Sequence, residues 1–202
     1  MRKLTISNLK KTIYYFNRNG LRDTYLAALE RLQKTKGEGY VYQEPSPEQL
    51  EQQRNHPWKQ PVKFSLLVPA YQTPEVLLRE LIDSVLAQTY SHFELLIGDA
   101  GTDAVVKETV ASYHDERIIY LPLKENGGIS RNTNGILEVA TGEYLGLLDH
   151  DDLLTVDALY EMALKLEEAS AQGKFIQLLY SDEDKCTETG EYYYEPHRKT
   201  AF

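Results

Sequence analysis

The sequence has little that could cross-link the protein or carry it through a membrane. Its 202 residues include one cysteine, Cys186, so the chain cannot form an internal disulfide, as is usual in reducing compartments. No apolar run approaches the roughly 20 residues that a membrane-spanning helix needs, and the first residues lack the apolar core of a secretory signal. We therefore predict a cytoplasmic protein.

Two common nucleotide-binding signatures are also absent. The sequence contains neither the phosphate-loop lysine pattern nor the Gly-x-Gly-x-x-Gly pattern of dinucleotide-binding folds, which disfavours both of those folds. The composition is otherwise ordinary, with 42% hydrophobic and 26% charged residues, and is typical of a globular domain.

The charge is distributed unevenly along the chain. Residues 1–36 contain nine Lys or Arg and two acidic residues, for a net charge of +7, whereas the whole chain carries −9 and the remainder therefore −16. An acidic body does not suit a nucleic-acid binder, so we predict no nucleic-acid partner. A basic leading segment is attracted to anionic membrane surfaces.

The first 61 residues divide into two segments. Apolar residues at helical spacing over 1–39, interrupted at Asn19-Gly20, predict a basic amphipathic helical hairpin. Packing against its own domain or a partner, and contact with the inner face of a membrane through residues 1–36, both fit such a hairpin. Residues 40–61, rich in Pro, Gln and Glu, predict an extended linker that Trp58 anchors to the following domain.

Strands and helices alternate from Val62 onwards. This alternation predicts βαβ units and a mostly parallel sheet with helices on both faces, in a domain that covers residues 62–202. The predicted strands are 64–68, 93–97, 117–121, 144–148 and 175–180. The predicted helices cover 104–113, 130–140 and 156–169, and an earlier one starts with Thr73 as its N-cap and Pro74 as its first residue.

Three carboxylates follow a strand that we predict to be fully buried. Asp149, Asp151 and Asp152 come directly after the apolar run 144–148, and ligands of open α/β sheets gather at the carboxyl ends of the strands. Carboxylates this close repel one another unless a cation neutralises them, and hard divalent cations favour oxygen ligands. A metal site and a solvated acidic loop before the next helix both fit this pattern.

Four loops should meet at the same edge of the sheet, and their chemistry is complementary. Tyr71 could stack on a base, Asp99 could accept a hydrogen bond from a nucleobase N–H, and Arg131 could contact an anion or a base edge. Glycines before the helix that starts near Ser130 allow a ligand to approach a helix N-terminus closely. The acidic cluster could hold a metal against a diphosphate.

The same loops resemble, in order and spacing, those of the family 2 glycosyltransferases. The matching motifs are Val68-Pro-Ala-Tyr71, the turn 97–103, Asn126-Gly-Gly-Ile-Ser-Arg131-Asn132 and Gly142-Glu-Tyr with Leu148-Asp-His-Asp-Asp152. The resemblance covers roughly residues 62–185 and is strongest to bacterial enzymes that assemble rhamnan, O-antigen or capsular glycans. It implies a GT-A fold, a nucleotide-diphosphate sugar donor, Mn²⁺ or Mg²⁺, and transfer with inversion to a glycan or lipid-linked acceptor.

The resemblance also implies roles for single residues. Those that would bind the nucleotide sugar are Pro69, Tyr71, Asp99, Arg131 and Asp149, and those that would bind the metal are Asp149 and Asp151. Asp151 would ligate the cation that bridges the diphosphate, and Asp149 would face the ribose and the metal shell. The turn after Asp99 departs from the family pattern, because Ala100 stands where a second acid is usual and the turn is one residue shorter.

The catalytic base has no clear counterpart in the sequence. In the family it is a carboxylate well downstream, in the half that holds the acceptor, and nothing after Asp151 matches that motif. Asp182, Glu183 and Asp184 are weak candidates, and a solvated turn explains them more simply. We expect a fragment that binds the donor with metal but transfers sugar slowly or not at all. The alternative function is a catalytically incomplete nucleotide-sugar-binding module recruited to a partner or membrane.

Overall fold

The computed structural model describes residues 43–186 and 193–197, which divide into two units. The larger unit runs from Glu44 to Leu179, and the smaller one includes the described residues from Tyr180 onwards. The hairpin predicted over residues 1–39 lies outside the described residues. Within those that are described, no helix has the length and apolar character needed to cross a bilayer.

The larger unit alternates helices and strands along the chain. Its helices are α1 (Pro47–Arg54), α2 (Glu75–Leu86), α3 (Val105–Ala111), α4 (Ile129–Leu137) and α5 (Ala158–Ala171). Its strands are β1 (Phe64–Ala70), β2 (Phe93–Asp99), β3 (Ile118–Pro122) and β4 (Tyr144–Leu147).

The four strands form one parallel sheet in the order β3-β2-β1-β4. At its carboxyl edge Ala70 of β1 pairs with Asp99 of β2, and Asp99 pairs with Pro122 of β3. On the other side of β1, Leu67 pairs with Leu147 of β4. Because all strands run the same way, the loops that follow them gather at one edge, as the sequence analysis predicts.

Helices cover the two faces of the sheet, which completes the predicted α/β arrangement. On one face Leu66 and Val68 of β1 belong to a core cluster that includes residues of α2, α3 and α5. On the opposite face Leu67 and Leu96 pack with Ile136 of α4. Each of these side chains is at most 3% exposed, and burying one contributes about 1.5–3 kcal/mol.

Close packing between α4 and β2 depends on a glycine. A Cβ atom at Gly98 would lie 2.5 Å from the Cδ1 atom of Ile136, well inside any van der Waals contact. A glycine within a strand often marks such a close approach. The missing side chain at position 98 therefore lets the helix rest directly on the sheet.

From residue 43 onwards, the segment 40–61 is not the extended linker that its composition predicts. Ser46 and Gln49 form a reciprocal capping box: the Ser46 Oγ accepts from the Gln49 N–H at 3.3 Å, and the Gln49 side chain accepts from the Ser46 N–H at 2.8 Å. Pro47 occupies the first turn, where its fixed φ suits a helix. The local capping signal therefore outweighs the composition, and α1 forms.

Trp58 fastens this segment to the sheet domain, as predicted. Its ring lies 5.0 Å from the ring of Tyr90 and 5.4 Å from that of Tyr160, both edge-on. His56 adds a contact to Glu167 of α5, with 3.3 Å between Nε2 and Oε2. The compact unit therefore begins before the predicted boundary at residue 62.

Further differences from the predicted elements concern the start of α2, the end of α4 and residues 175–180. α2 begins at Glu75 with Pro74 as its N-cap, so Thr73 does not cap it and is instead 3% exposed. α4 ends at Leu137 rather than near residue 140. Residues 175–180 have no regular secondary structure, because a strand needs a neighbour and none of the described strands pairs with them.

The predicted burial of β4 on both faces is wrong. Among the described strands β4 pairs with β1 alone, so it forms an end of the sheet. Leu145 is 49% exposed and Leu147 is 75% exposed, whereas Tyr144 and Gly146 are half-buried. A continuous apolar run predicts a strand covered on both faces, but here one face of the strand stays open.

A buried carboxylate joins the amino-terminal ends of β1 and β2 to the turn before β4. Glu94 is 5% exposed and accepts hydrogen bonds from Lys63 Nζ and Ser65 Oγ, both at 2.6 Å, and from the Thr141 N–H at 2.7 Å. Burial alone would raise the pKa of Glu94, but these hydrogen bonds outweigh it and lower the pKa to about 2. The carboxylate therefore stays ionised and ties these three segments together.

The smaller unit contains an antiparallel pair of strands, β5 (Glu183–Cys186) and β6 (Tyr193–His197). Glu183 lies opposite His197 and Cys186 opposite Tyr193, with an irregularity between Glu183 and Lys185. The acidic run over residues 182–184 does not have the composition of a strand, so the sequence analysis misses β5.

We expect a Glu94→Gln variant to be less stable than the wild type at pH 7 by about 3 kcal/mol, the free energy that matches a pKa lowered from 4.5 to about 2. Because the pKa is lowered in the folded state, this stabilisation is complete above pH 4.5 and is lost as the pH falls towards 2. Urea unfolding across that range should show a steeper loss in the wild type than in the variant.

Glu75→Gln is the matched control for this experiment. Glu75 forms an exposed ion pair with Arg79 at 2.8 Å in α2, and exposed pairs contribute little to stability. This variant should unfold much like the wild type at every pH. Identical pH dependence of the wild type and Glu94→Gln would contradict the role that we assign to Glu94.

Candidate active site

A cleft of about 390 Å³ opens at the carboxyl ends of β1 and β4. It is lined by the end of β1, the first turns of α4, and the end of β4 with the residues that follow it. The lining residues are Leu67, Pro69, Ile129, Ser130, Thr133, Asn134, Leu147, Leu148 and Asp149. Two predicted site residues, Pro69 and Asp149, thus lie in the same cleft as the start of a helix.

The acidic turn after β4 places Asp149 in the lining of this cleft, and Asp151 follows two residues later. The Leu148 N–H donates to the Leu67 carbonyl at 3.2 Å, which carries the ladder one residue beyond β4, and Leu148 is buried. The chain then turns, with the Asp152 N–H donating to the Asp149 carbonyl at 3.1 Å. The side chains of Asp149 and Asp151 are both exposed, and the Asp151 Oδ1 lies 3.6 Å from the His150 Nδ1.

These carboxylates suit a divalent cation that takes its remaining ligands from a bound substrate. Across residues 43–186 and 193–197, no three His, Cys, Asp or Glu side chains are arranged to hold a metal by themselves. Asp149 and Asp151 nevertheless offer two accessible oxygen donors two positions apart. Mg²⁺ is usually bound through one or two carboxylates together with substrate phosphates, so this pair suits such a cation.

Asp99 is buried at the end of β2 and held from two sides. It is 3% exposed; its Oδ1 accepts from the Gly101 N–H at 2.8 Å, and its Oδ2 accepts from the Tyr120 hydroxyl at 3.1 Å. A Cβ atom at Gly101 would lie 2.9 Å from that Oδ1, so only glycine fits the turn without a shift. Each carboxylate oxygen keeps lone-pair capacity for one more donor.

Tyr71 lies in a strained turn directly after β1. Its side chain is 44% exposed, which leaves the ring available to a ligand. The next residue, Gln72, has a φ of 51°, in the left-handed region that residues with a side chain rarely adopt. Strain of this kind tends to collect at binding loops.

The loop before α4 is shaped by a residue to which the sequence analysis assigned no role. Asn132 is 5% exposed, accepts from the Gly127 N–H at 3.0 Å and donates to the Asn126 Oδ1, also at 3.0 Å. The predicted nucleotide contact, Arg131, does not line the cleft: its side chain is 75% exposed and lies 3.5 Å from Glu125. In this motif Asn132 is thus buried and hydrogen-bonded to the loop, whereas the side chain of the neighbouring Arg131 faces solvent.

The three weak candidates for the catalytic base all fall in the smaller unit. Asp182 precedes β5, and Glu183 and Asp184 are its first two residues. Asp182 and Glu183 are exposed and Asp184 is half-buried. A catalytic role for any of the three stays a prediction.

Tyr120 is the second residue that the sequence analysis missed. It sits in β3 among aliphatic residues, and its backbone pairs with Ile97 of β2. A tyrosine within an otherwise aliphatic strand indicates a hydrogen-bond partner for its hydroxyl, since a buried hydroxyl usually finds one. Identifying Asp99 as that partner requires the register between β2 and β3, which the sequence does not give.

Comparison with known protein families shows to which family the chain belongs. The family model described as glycosyl transferase family 2 matches residues 65–189, which contain the cleft, the acidic turn and the buried Asp99. The chain belongs to glycosyl transferase family 2. This membership, together with the parallel sheet covered on both faces, confirms the predicted GT-A α/β fold and the predicted enzyme family.

Relatives of this family 2 chain come from several bacteria. It is 40% identical over 130 residues to the uncharacterized protein y4gI of Sinorhizobium fredii, a match that covers 63% of this chain and 14% of that protein. It is 33% identical over 142 residues to the O-antigen biosynthesis protein RfbC of Myxococcus xanthus, covering 69% of this chain and 10% of that protein. The chain therefore spans at most about a seventh of the length of either relative.

A solved structure also resembles the family 2 chain over part of its length. S. aureus TarS in complex with UDP is 27% identical, with a TM-score of 0.49, and the match covers 54% of this chain and 33% of that one.

Replacing Gln72 by glycine should stabilise the protein by about 1 kcal/mol, because glycine adopts a positive φ without the steric cost that other residues meet. Gln72→Val should have the opposite effect, since a β-branched side chain fits this region worst. Thermal unfolding of both variants measures the difference.

His114 offers a matched control, since it also has a φ of 51° and lies between α3 and β3, away from the cleft lining. His114→Gly should also gain stability, but to a smaller extent, because it loses the contact of the His114 Nδ1 with the Ser112 carbonyl at 3.0 Å. A lower unfolding temperature for Gln72→Gly than for the wild type would show that the turn after Tyr71 is not strained.

Proposed function

We propose that this chain binds the nucleotide-diphosphate sugar donor for an inverting, metal-dependent glycosyl transfer. In the whole enzyme the sugar would pass to a glycan or lipid-linked acceptor during assembly of a cell-surface polysaccharide. The observation that carries this proposal is that Asp149, Pro69 and the start of α4 line the same cleft. Family membership supports the reaction class, and the O-antigen name of the Myxococcus xanthus relative supports the polysaccharide role.

The nucleoside would lie over the carboxyl ends of β1 and β2. The exposed ring of Tyr71 offers a surface on which a base can stack, and Pro69, two residues earlier, lines the cleft. Asp99 is 3% exposed and is not among the residues that line the cleft, so its carboxylate would accept a base N–H only once the atoms that cover it move aside. The lone pairs that Gly101 and Tyr120 leave available would then take part. Arg131, exposed just beyond the loop, would contact the nucleotide only after turning away from Glu125.

The diphosphate would lie between α4 and the acidic turn. The first hydrogen bond of the helix joins the Asn132 N–H to the Gly128 carbonyl at 3.0 Å, so the N–H groups of residues 129–131 have no partner within the helix. No side chain caps this end of the helix. Helix N-termini attract anions for these reasons, and Ser130 of this turn lines the cleft.

Asp149 and Asp151 would hold Mn²⁺ or Mg²⁺ on the other side of the diphosphate. When bound, such a cation stabilises the negative charge that develops on a departing diphosphate. Without it, two exposed carboxylates beside a diphosphate would repel the ligand electrostatically. The acidic turn therefore makes donor binding depend on the cation.

The acceptor hydroxyl would attack the sugar from the face opposite the diphosphate, which inverts the anomeric centre. A carboxylate on that side would take the hydroxyl proton, and positioned bases of this kind contribute about 10²–10⁴ in rate. Asp182, Glu183 and Asp184 remain the candidates within this chain. If none of them serves, the chain acts as a catalytically incomplete donor-binding module.

We expect Asp151→Asn to weaken nucleotide-diphosphate affinity in the presence of Mn²⁺ by at least about tenfold, or 1.4 kcal/mol, because a neutral amide is a poorer ligand for a hard cation. Isothermal titration calorimetry measures the change. Chelation of the metal should weaken binding to the wild type and have little further effect on the variant.

Asp157→Asn is the control for the loss of one negative charge from a residue outside the cleft lining. Asp157 is the N-cap residue of α5, and its side chain makes no capping hydrogen bond. Its replacement should leave affinity unchanged. Equal affinities of Asp151→Asn and the wild type, both with metal, would contradict metal binding by Asp151.

A cytoplasmic location with contact to an anionic membrane is also part of the proposal. Residues 1–36 carry a net charge of +7, and each basic residue near an anionic surface contributes about 1 kcal/mol. At low salt, vesicles that contain anionic lipid should sediment the whole chain but not residues 44–202, and neutral vesicles should sediment neither. Equal recovery of both chains on anionic vesicles would rule out this role for residues 1–36.

A further inference from the structure

The carboxylate of Asp99 is fixed by two donors that approach its two oxygens separately. The Gly101 N–H binds Oδ1 at 2.8 Å, and the Tyr120 hydroxyl binds Oδ2 at 3.1 Å. Asp99 is 3% exposed, so water has little access to replace either donor. Together the two hydrogen bonds fix the plane of the carboxylate, and therefore the directions in which its remaining lone pairs point.

The hydroxyl of Tyr120 acts as a donor in this pair. Burial, and then its hydrogen bond to Asp99, raise the pKa of Tyr120 above its usual value, so it keeps its proton at neutral pH. The other donor is the backbone N–H of Gly101, which only a proline would remove, and a proline would also change the turn itself. Replacing Tyr120 by phenylalanine therefore removes one of the two donors and leaves the other in place.

We propose that Tyr120 is a positioning residue for nucleobase selection. Its hydroxyl holds the Asp99 carboxylate in the orientation that accepts an N–H from the correct base. Without that hydrogen bond the carboxylate is held at one oxygen only and can rotate about its Cβ–Cγ bond. Bases with differently placed donors would then compete more equally. This inference rests on the proposed function, in which Asp99 contacts the base of the donor.

The first measurement is the affinity of the whole chain for UDP, GDP, CDP, ADP and dTDP, each with Mn²⁺. We expect one of them to bind best, and Tyr120→Phe to reduce its preference over the others by at least fivefold. Phenylalanine keeps the ring that packs in β3 and removes only the hydroxyl. The selectivity ratio is the decisive readout, because a loss of stability alone would weaken binding of all five nucleotides alike.

Tyr113→Phe is the matched control. The Tyr113 hydroxyl also donates a hydrogen bond from a partly buried position, to the carbonyl of Arg79 at 3.2 Å, and it lies outside the cleft lining. The two Tyr→Phe variants should lower the unfolding temperature to a similar extent. Only Tyr120→Phe should change the selectivity ratio.

A double-mutant cycle shows whether Tyr120 acts through Asp99. Asp99→Asn should itself lower the selectivity, and adding Tyr120→Phe to it should cause little further change. Fully additive effects would mean that Tyr120 contacts the ligand independently, and would overturn the inference. Selective nucleotide binding that Tyr120→Phe leaves unchanged would overturn it as well, but not the proposed function. Failure of all five nucleotides to bind would overturn both.

Discussion

Glu94 accepts hydrogen bonds from β1 and from the turn before β4 at the end of the sheet farthest from the cleft. Because the strands are parallel, a register set at that end is carried along β1 and β2 to Ala70 and Asp99. A slip of one residue would send every side chain of a strand to the opposite face. The relative positions of Pro69 and Asp149 in the cleft therefore depend on a carboxylate that lies outside the cleft lining.

The protein uses its acidic side chains in three different settings. Glu94 is buried among donors that satisfy its charge, and its role is to join strands. Asp99 is equally buried but retains lone pairs beyond those that Gly101 and Tyr120 occupy. Asp149 is exposed at the cleft, where charge left without a buried partner can attract a cation. Burial and donor supply, rather than residue type, separate the structural acid from those that suit ligand binding.

The sequence predicts elements whose pattern lies within one segment. It does not predict features that depend on contact with another segment. The apolar runs of β1 and β2 identify buried strands, and the loops after them fall at one edge because the strands are parallel. Residues 175–180 have the composition of a strand, yet no described strand pairs with them. The contact between Tyr120 and Asp99 depends on register, and the exposure of Arg131 depends on the path of a loop, so neither could be read from spacing.

The contact between Gly98 and Ile136 limits how this sequence can change over time. Any side chain at position 98 would overlap Ile136, and a smaller residue at position 136 would leave a gap while position 98 remains glycine. A substitution at either position alone should therefore lower the stability. An ancestor that carried alanine at position 98 would have needed a smaller residue opposite it, so descendants of this chain should exchange the two positions as a pair.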